Sequence, residues 1–417
     1  MVDEPIDIAI VGAGAAGLAT AIFARRRCST KRVVVFEGAR SPGAKILVSG
    51  GSRCNVTNTI VTEQDFNGGR AGTVRRILRS MPVADTVRFF NELGVTLHEE
   101  ADGKLFPDSN RSRDVLNALL REVARVGAEL RASHRILDVS RRNGGFDLDT
   151  NAGRFRARSI VLATGGLSLP KSGSDGAGYG FAARFGHTIV PTTPALVPLM
   201  LEQNYGNGFD PGLRGVAQHV RLDVRIDGAI DRRIEGPLLW THFGVSGPAA
   251  LDASRHWLRA RLEGRSAAIT ANMLAGTEFE AADARFREAA SETPRATVRT
   301  FLARLLPASV ASTVMTHAGL TTDVALAALT RDDRRRLVHA LVEWPLPILD
   351  SRGYNYAEVT AGGVALPETN PATMESRVCP GLFLVGEILD VDGRLGGFNF
   401  QWAWATGNVA GDALAAA

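Results

Sequence analysis

The stretch IDIAIVGAGAAGLATAIFARRR at residues 6–27, closed by VVVFEG, limits what this chain can fold into more than any other part of it. The apolar run from Ile6 to Val11 reads as a buried parallel strand, and Gly12, Gly14 and Gly17 open a helix predicted over Ala15 to Arg27. Each glycine has its own task. Gly12 permits the sharp turn, Gly14 lets a pyrophosphate approach the backbone, and Gly17 lets helix and strand pack closely. The helix start at Ala15 and Ala16 offers N–H groups to the anion. A second apolar run, Val33 to Phe36, ends at Glu37 and Gly38, with Glu37 twenty positions beyond Gly17, where a carboxylate accepts from ribose hydroxyls. Strand, turn, helix, strand and acid in that order predict a dinucleotide-binding βαβ unit.

A chain of 417 residues exceeds what one core usually serves, which predicts two or three domains. Its 45% hydrophobic and 22% charged content is that of a globular protein and excludes a disordered or fibrous one. The net charge is +4 and the isoelectric point is near 9.2. Arginine outnumbers lysine 44 to 4, a skew that points to compositional bias rather than to a surface built for nucleic acid. No strongly basic tail or aromatic-interleaved arginine stripe stands out, so no nucleic-acid partner is expected. Cys28, Cys54 and Cys379 are widely spaced, with no disulfide framework and no metal spacing; the expectation is a reducing compartment and no metal. The short acidic lead-in at residues 1–5 leaves no room for a signal peptide, and no apolar run approaches a membrane span. A cytoplasmic protein without a membrane partner is expected.

Along the chain, the loop SPGAKILVSGGSRCNVTN is too rich in glycine, serine and asparagine to read as regular structure. Helical spacing resumes over residues 74–93 and again from Val115 to Val126, with Ser112 as the expected N-cap. Alternation around Phe146, Leu148 and Phe155 predicts an antiparallel excursion. The run at residues 159–162 is another core strand, ending in the glycine turn Ala163, Thr164, Gly165 and Gly166. From Pro191 the pattern changes: Val220, Leu222, Val224 and Ile226 alternate as in a strand, and residues 281–342 carry helical spacing. The alternating charges at residues 331–336 read as a solvated face. A last core strand at 382–385 meets Gly386 and Glu387, and a helix follows toward Ala417. The predicted architecture is α/β: a Rossmann-like domain over residues 1–190, an inserted β-barrel-like domain over 191–280, a small helical subdomain over 281–345, and a return to the first domain over 346–417.

The motifs IVGAGAAGLATA, GAKILVSGGSRCNVTN, DGKLFP, ATGGLSLPKSG, THFGVSGPA, VTAGGVA and PGLFLVGEILDVDGRLGGFNFQWAWATG together resemble the aminoacetone-oxidase-like FAD-binding flavoproteins. The likeness extends over nearly the whole chain. It implies an FAD-binding Rossmann domain with an inserted barrel and a helical unit, within the wider group of glutathione-reductase-like and fumarate-reductase-like flavoproteins. It also implies an NAD(P)/FAD-dependent oxidoreductase, some relatives being linked to reduction of conjugated double bonds in steroid-like ketones. The family pattern commonly has arginine at the position of Lys104.

The residues themselves agree with FAD. Gly12, Gly14, Ala15, Ala16 and Gly17 are the expected pyrophosphate site, and Glu37 the expected ribose partner. Residues 45–55 form the next loop, where Gly50 and Gly51 let the backbone lie against a flat ring system, with Lys45, Arg53, Cys54 and Asn55 beside it. Glu387 is placed to accept from ribityl hydroxyls. Gly396 and Gly397 precede a helix whose start, around Phe398 and Asn399, can set positive dipole charge near the flavin N1 edge. Hydride transfer is the cofactor's chemistry, so few side chains are obligatory. Cys54 is a candidate redox or acid partner, or a small packing residue; His242 is a candidate proton donor, or a structural histidine. Tyr356, Asp390, Asp392 and Arg394 stand near the C-terminal motifs. Residues 42–53 hold no histidine, so non-covalent FAD is expected. The string GSDGAGYGFAARFG follows a loop instead of a strand and reads as no second dinucleotide site. The leading expectation is an FAD-dependent oxidoreductase moving a hydride to or from a small or medium organic substrate, with NAD(P)H as a candidate donor. The rivals are a flavin-containing RNA-modification or RNA-binding protein and a flavoprotein whose FAD is structural or regulatory.

Overall fold

Ile6–Val11 lies in the middle of a parallel sheet, between Val33–Phe36 on one side and Gly153–Leu162 on the other. Glu129–Arg131 extends it beyond Val33–Phe36, and Leu382–Leu384 pairs with the end of Gly153–Leu162, again in parallel. Such strands are covered on both faces, which is why Val33 to Phe36 and Leu382 to Leu384 are buried without alternation. The first half of Gly153–Leu162 pairs antiparallel with Gly145–Thr150, which pairs with Ile136–Arg142. This is the expected antiparallel excursion. The computed structural model describes residues 6–202, 211–320 and 324–417, so the acidic lead-in at residues 1–5 lies outside the described residues.

The chain forms two compact units, Met1–Pro194 with Glu358–Ala417, and Ala195–Ala357. In the first, helix Ala15–Arg27 packs along helix Phe398–Ala416. Small residues set that closeness: a Cβ at Gly407 would stand 2.9 Å from Ala19 Cβ, and one at Gly411 would stand 2.7 Å from Phe23 Cβ. Trp402, Trp404 and Phe398 on the same helix are almost wholly buried, each contributing about 2–3 kcal/mol of apolar burial. Gln401 is also buried, its Oε1 accepting from Thr57 Oγ1 at 2.7 Å and Thr86 Oγ1 at 3.0 Å and its Nε2 donating to Met81 O at 2.6 Å.

The helical stretch expected over residues 74–93 is two helices, Ala71–Leu78 and Val83–Glu92. Pro82, which lacks an N–H and disfavours helical geometry before it, stands at the break. Helix Ser112–Arg125 forms as expected, but its N-cap is Arg111; the Ser112 hydroxyl donates to Leu47 O at 2.8 Å instead of capping.

The second unit is built on a seven-stranded antiparallel sheet in the order Trp344–Leu346, Ala267–Asn272, Ala217–Ile226, Ala229–Trp240, Gly244–Ser246, Leu199–Leu201, Ile348–Ser351. The two edge strands are consecutive in sequence, separated by Pro347 alone. Helices Pro248–Leu262, Phe279–Glu292, Ala308–His317 and Arg331–Val342 share one apolar core with this sheet, to which Val220, Leu222 and Val224 on the sheet and Leu337, Val338 and Leu341 on the last helix all belong. The charged run at 331–336 opens the last of these helices, where Arg334 reaches Asp283 at 2.7 Å and Arg336 reaches Asp333 at 2.5 Å.

Candidate functional site

The nucleotide turn is tight enough to forbid side chains at two glycines and open enough to admit a ligand at the third. Gly12 has φ +107, and a Cβ there would stand 2.5 Å from Ala163 O; a Cβ at Gly17 would stand 1.9 Å from Gly12 O. Gly14 has nothing within 4 Å of an added Cβ. It is the N-cap of Ala15–Arg27, with no capping side chain and no acid in the first turn, so the positive end of the helix is left for an anion. Glu37 holds the turn from the next strand: Ala13 N donates to Oε2 at 3.0 Å and Ala39 N to Oε1 at 2.9 Å. Each oxygen retains acceptor capacity for a ribose hydroxyl. At Gly38 an added Cβ would meet Arg135 Cβ at 3.3 Å. The turn after the next strand, Ala163 to Gly165, closes over Gly12, and Gly386 arrives from the C-terminal segment with its position for a Cβ 2.8 Å from Ala16 Cβ.

The glycine-rich loop is helical at its start. Helix Ala44–Ser52 begins at Gly43, whose φ is +72, and its backbone leaves helical values at Ser49, Gly50 and Gly51. A run of positive φ follows through Gly50, Gly51, Ser52 and Cys54, the permissive geometry expected of the glycines there. Asn55 is buried, and its Oδ1 is without a hydrogen-bond partner. A buried acceptor left unpaired is costly, and this one faces the start of helix Phe398–Ala416: a Cβ at Gly397 would stand 2.8 Å from it. No side chain caps that helix start either. The open Gly14, the two uncapped helix starts and the unpaired Asn55 acceptor fit a dinucleotide with a polar ring edge.

Lys45, in the first turn of the loop helix, pairs with Glu387 and donates to Ser168 Oγ at 2.7 Å. Ser168 Oγ donates in turn to Glu387 Oε1 at 2.7 Å, which also accepts from Thr360 N at 3.1 Å. Thr360 Oγ1 accepts from the Leu167 and Ser168 N–H groups at 2.8 and 3.0 Å. Three distant segments therefore meet on the Glu387 carboxylate. Ser168 and Thr360 were not singled out from sequence, although both lie inside motif strings, ATGGLSLPKSG and VTAGGVA.

Other expected site residues have defined partners. Arg53 is bound to Glu100 at 2.6 Å and lies 4.1 Å over the Phe106 ring. Asn399 exchanges hydrogen bonds with Gly393, accepting at 2.8 Å and donating at 2.9 Å, so it pins the preceding loop. Phe398 packs edge-on against Phe66 with centroids 6.2 Å apart. Cys54 is wholly buried, and burial pushes its thiol up to about 12, against a weaker opposing hydrogen bond with Ser49. It is therefore a neutral thiol at physiological pH. His242 belongs to the second unit, in the exposed bend between Trp240 and Gly244, its ring 5.1 Å from that of Phe243. Arg352 lies 3.4 Å over the Tyr356 ring, also in the second unit. Among the described residues there is no cluster suited to a metal ion, and no helix is long and apolar enough to cross a membrane.

Relatives place this arrangement. The chain matches the HI0933-like protein Rossmann domain family over residues 6–413. It is 32% identical over 414 residues to the 3-dehydro-bile acid delta(4,6)-reductase of Clostridium scindens, covering 98% of each chain. It is 33% identical over 403 residues to the ribosomal RNA dihydrouridine synthase of Escherichia coli, covering 97% of this chain and 96% of that one. The protein of the same name from Haemophilus influenzae is 32% identical over 401 residues, with 95% of each chain covered. In fold, quinol fumarate reductase FrdA of E. coli aligns with a TM-score of 0.52 at 17% identity, covering 100% of this chain and 71% of that one. The chain belongs to the HI0933-like, aminoacetone-oxidase-like family of FAD-dependent Rossmann oxidoreductases, related in fold to the fumarate reductase flavoproteins.

Proposed function

We propose that the protein binds FAD non-covalently and reduces a carbon–carbon double bond conjugated to a carbonyl. One observation carries this reading. Relatives of nearly equal identity, 32% and 33%, act on a 3-dehydro-bile acid at its delta(4,6) positions and on uridine in ribosomal RNA. The two substrates are unlike in size and charge, yet in each the bond reduced is conjugated to a carbonyl. Reduction adds a hydride at the carbon β to the carbonyl and a proton at the α carbon. FAD when bound supplies the hydride chemistry; the chain must hold the cofactor, orient the substrate and supply the proton.

In this reading Gly12, Gly14, Ala15, Ala16 and Gly17 hold the pyrophosphate, Glu37 the ribose, and Glu387, steadied by Lys45 and Ser168, a ribityl hydroxyl. Gly50, Gly51 and Asn55 line the ring, and the helix start at residues 397–402 sets positive charge at its N1 edge. His242 is the proton donor, and NAD(P)H the reductant. Residues 191–280 are read as a barrel-like insert, supported by edge strands that follow one another through Pro347, with 281–345 as its helical companion. Three free cysteines support a cytoplasmic setting. The expectation of no nucleic-acid partner stands against two relatives named for ribosomal RNA, so both substrate classes enter the test. Anaerobic holoprotein reduced by NADPH or dithionite is offered a 3-oxo-4,6-diene steroid or deproteinised ribosomal RNA. Re-oxidation of the flavin with gain of two hydrogens by one substrate is expected. A colourless protein that takes up no FAD, or a reduced flavin inert to both substrates, would overturn the reading.

A further inference from the structure

Helix Ala71–Leu78 buries Val74, Ile77 and Leu78 and turns Arg75, Arg76 and the following Arg79 to solvent; Arg70, also exposed, immediately precedes it. No acid occurs between residues 66 and 84. The nearest carboxylates stand in the short turn Glu63–Asp65, and both are taken: Glu63 pairs with Arg75, and Asp65 accepts from Arg394 Nε at 2.8 Å. Arg394 also lies 4.2 Å over the Phe398 ring. Glu63 is held below the ordinary carboxylate range by its hydrogen bond from Arg75, and Arg79 adds only a weaker attraction. Among the described residues, Arg70 and Arg76 form no ion pair or side-chain hydrogen bond, and Arg79 forms none beyond that attraction.

Some exposed arginines elsewhere, Arg135, Arg184, Arg265 and Arg336 among them, sit within 2.5–2.8 Å of a carboxylate, and these three do not. Cations are welcome in the last turn of a helix, but like charges three and four positions apart repel. A face that keeps three guanidinium groups without carboxylates is suited to an external polyanion. Its location matters equally. Strand Phe66–Gly68, which leads into Arg70, pairs with Val391–Gly393 in the register Phe66 to Gly393 and Gly68 to Val391. Arg394 follows at once, two residues before Gly396 of the cofactor cradle. From Arg70 to Arg79 the cations extend about 13 Å along the helix at 1.5 Å per residue.

We propose that Arg70, Arg76 and Arg79 dock the phosphodiester backbone of an RNA whose base is the substrate. This rests on the proposed reduction of a conjugated double bond and names the substrate class as a uracil ring within RNA. Planar guanidinium groups bind phosphate oxygens in pairs and carry no sequence preference themselves, so they position the strand and leave base choice to the catalytic pocket.

The test is fluorescence anisotropy with a labelled single-stranded oligouridylate and with deproteinised ribosomal RNA, from low to moderate salt. The holoprotein carrying Arg70→Gln, Arg76→Gln and Arg79→Gln is compared with unaltered holoprotein and with Arg154→Gln, a charge change on the Gly153–Leu162 strand. Loss of three phosphate contacts lowers the slope of log affinity against log salt by about 2 and weakens binding on the order of 10- to 100-fold at 0.1 M salt. FAD content and the flavin spectrum stay unchanged, and Arg154→Gln binds as the unaltered protein does. Equal affinity and slope in the triple variant overturn the docking face. Reduction of the steroid dienone with no measurable RNA binding also overturns the face while leaving the double-bond reading intact. RNA binding lost in the triple variant, with neither substrate reduced, supports the face and removes the double-bond reading instead.

Discussion

Lys45 and Glu387 form an ion pair across 342 residues of sequence, joining the loop after the nucleotide turn to the end of the last core strand. Their side chains are only 26% and 17% exposed, so the pair is better shielded than an ordinary surface salt bridge. Removing Lys45 leaves Glu387 with Ser168 Oγ and Thr360 N but without its counter-charge. Lys45→Met is expected to destabilise the apo protein by about 1–3 kcal/mol and to weaken FAD binding 10-fold or more. Thermal melting and titration with FAD measure the two effects separately. Unchanged FAD affinity removes Lys45 from the cofactor site.

Gly17 and Gly14 of the turn make opposite predictions. An alanine at Gly17 meets Gly12 O at 1.9 Å, with backbone on both sides of the clash; Gly17→Ala is expected to cost about 3 kcal/mol or more by overpacking and to lower the melting temperature of apo protein. At Gly14 the added methyl group meets nothing within 4 Å, and φ is −82. Gly14→Ala therefore leaves apo stability within about 1 kcal/mol, the scale of an altered N-cap, yet blocks the approach of the pyrophosphate. A Gly14→Ala protein that melts normally and still binds FAD at full strength would show that the anion lies elsewhere.

Burial of Cys54 has consequences for both reactivity and alkaline stability. The half-buried Cys28 thiol, lowered chiefly by its hydrogen bond with Thr30, is expected to alkylate with iodoacetamide in the native protein, and the wholly buried Cys54 only after unfolding. Native Cys54 keeps its proton to about 12, whereas an unfolded thiol releases it near 9. The native state then binds more protons than the unfolded state, so this contribution is whole below pH 9 and is lost as pH rises toward 12, at about 1.4 kcal/mol per unit. Cys54→Ala is expected to flatten the fall in stability above pH 9, measured by urea unfolding. The same variant keeping full flavin reduction settles whether Cys54 is packing or chemistry.

The parts of this fold written in local pattern were legible, and those written across the chain were not. Ile6–Val11, Val33–Phe36 and Leu382–Leu384 announce themselves because buried parallel strands have no polar face. Val220 to Ile226 alternates because its sheet covers one core, and the adjoining turn, Asp227 and Gly228 with φ of +52 and +85, carries the hairpin dipeptide. The loop helix at Ala44–Ser52 was masked by its glycines: Ala44 to Val48 are adequate helix formers, and the glycines only end it. Ser112 has the residue type of a cap, but Leu47 O offers its hydroxyl a better partner. The meeting of Lys45, Ser168, Thr360 and Glu387 has no local signature at all, since each is one polar residue in a separate motif. The arginine face has none either until Val74, Ile77 and Leu78 fix which side of its helix is buried.

His242 separates binding from chemistry. It lies in an exposed bend of the second unit, where replacement disturbs no core contact, so His242→Gln is expected to change melting by less than about 0.5 kcal/mol and to leave FAD binding untouched. As proton donor to the α carbon its loss lowers kcat roughly 10²- to 10⁴-fold, while dithionite reduces the bound flavin as before, because that step needs no substrate proton. Substrate reduction followed in H2O and in D2O supplies the second readout: a solvent isotope effect on the rate is expected to differ between the unaltered protein and His242→Gln, because the proton then comes from a different donor. A variant that retains both the rate and the isotope effect assigns the proton to another group or to water.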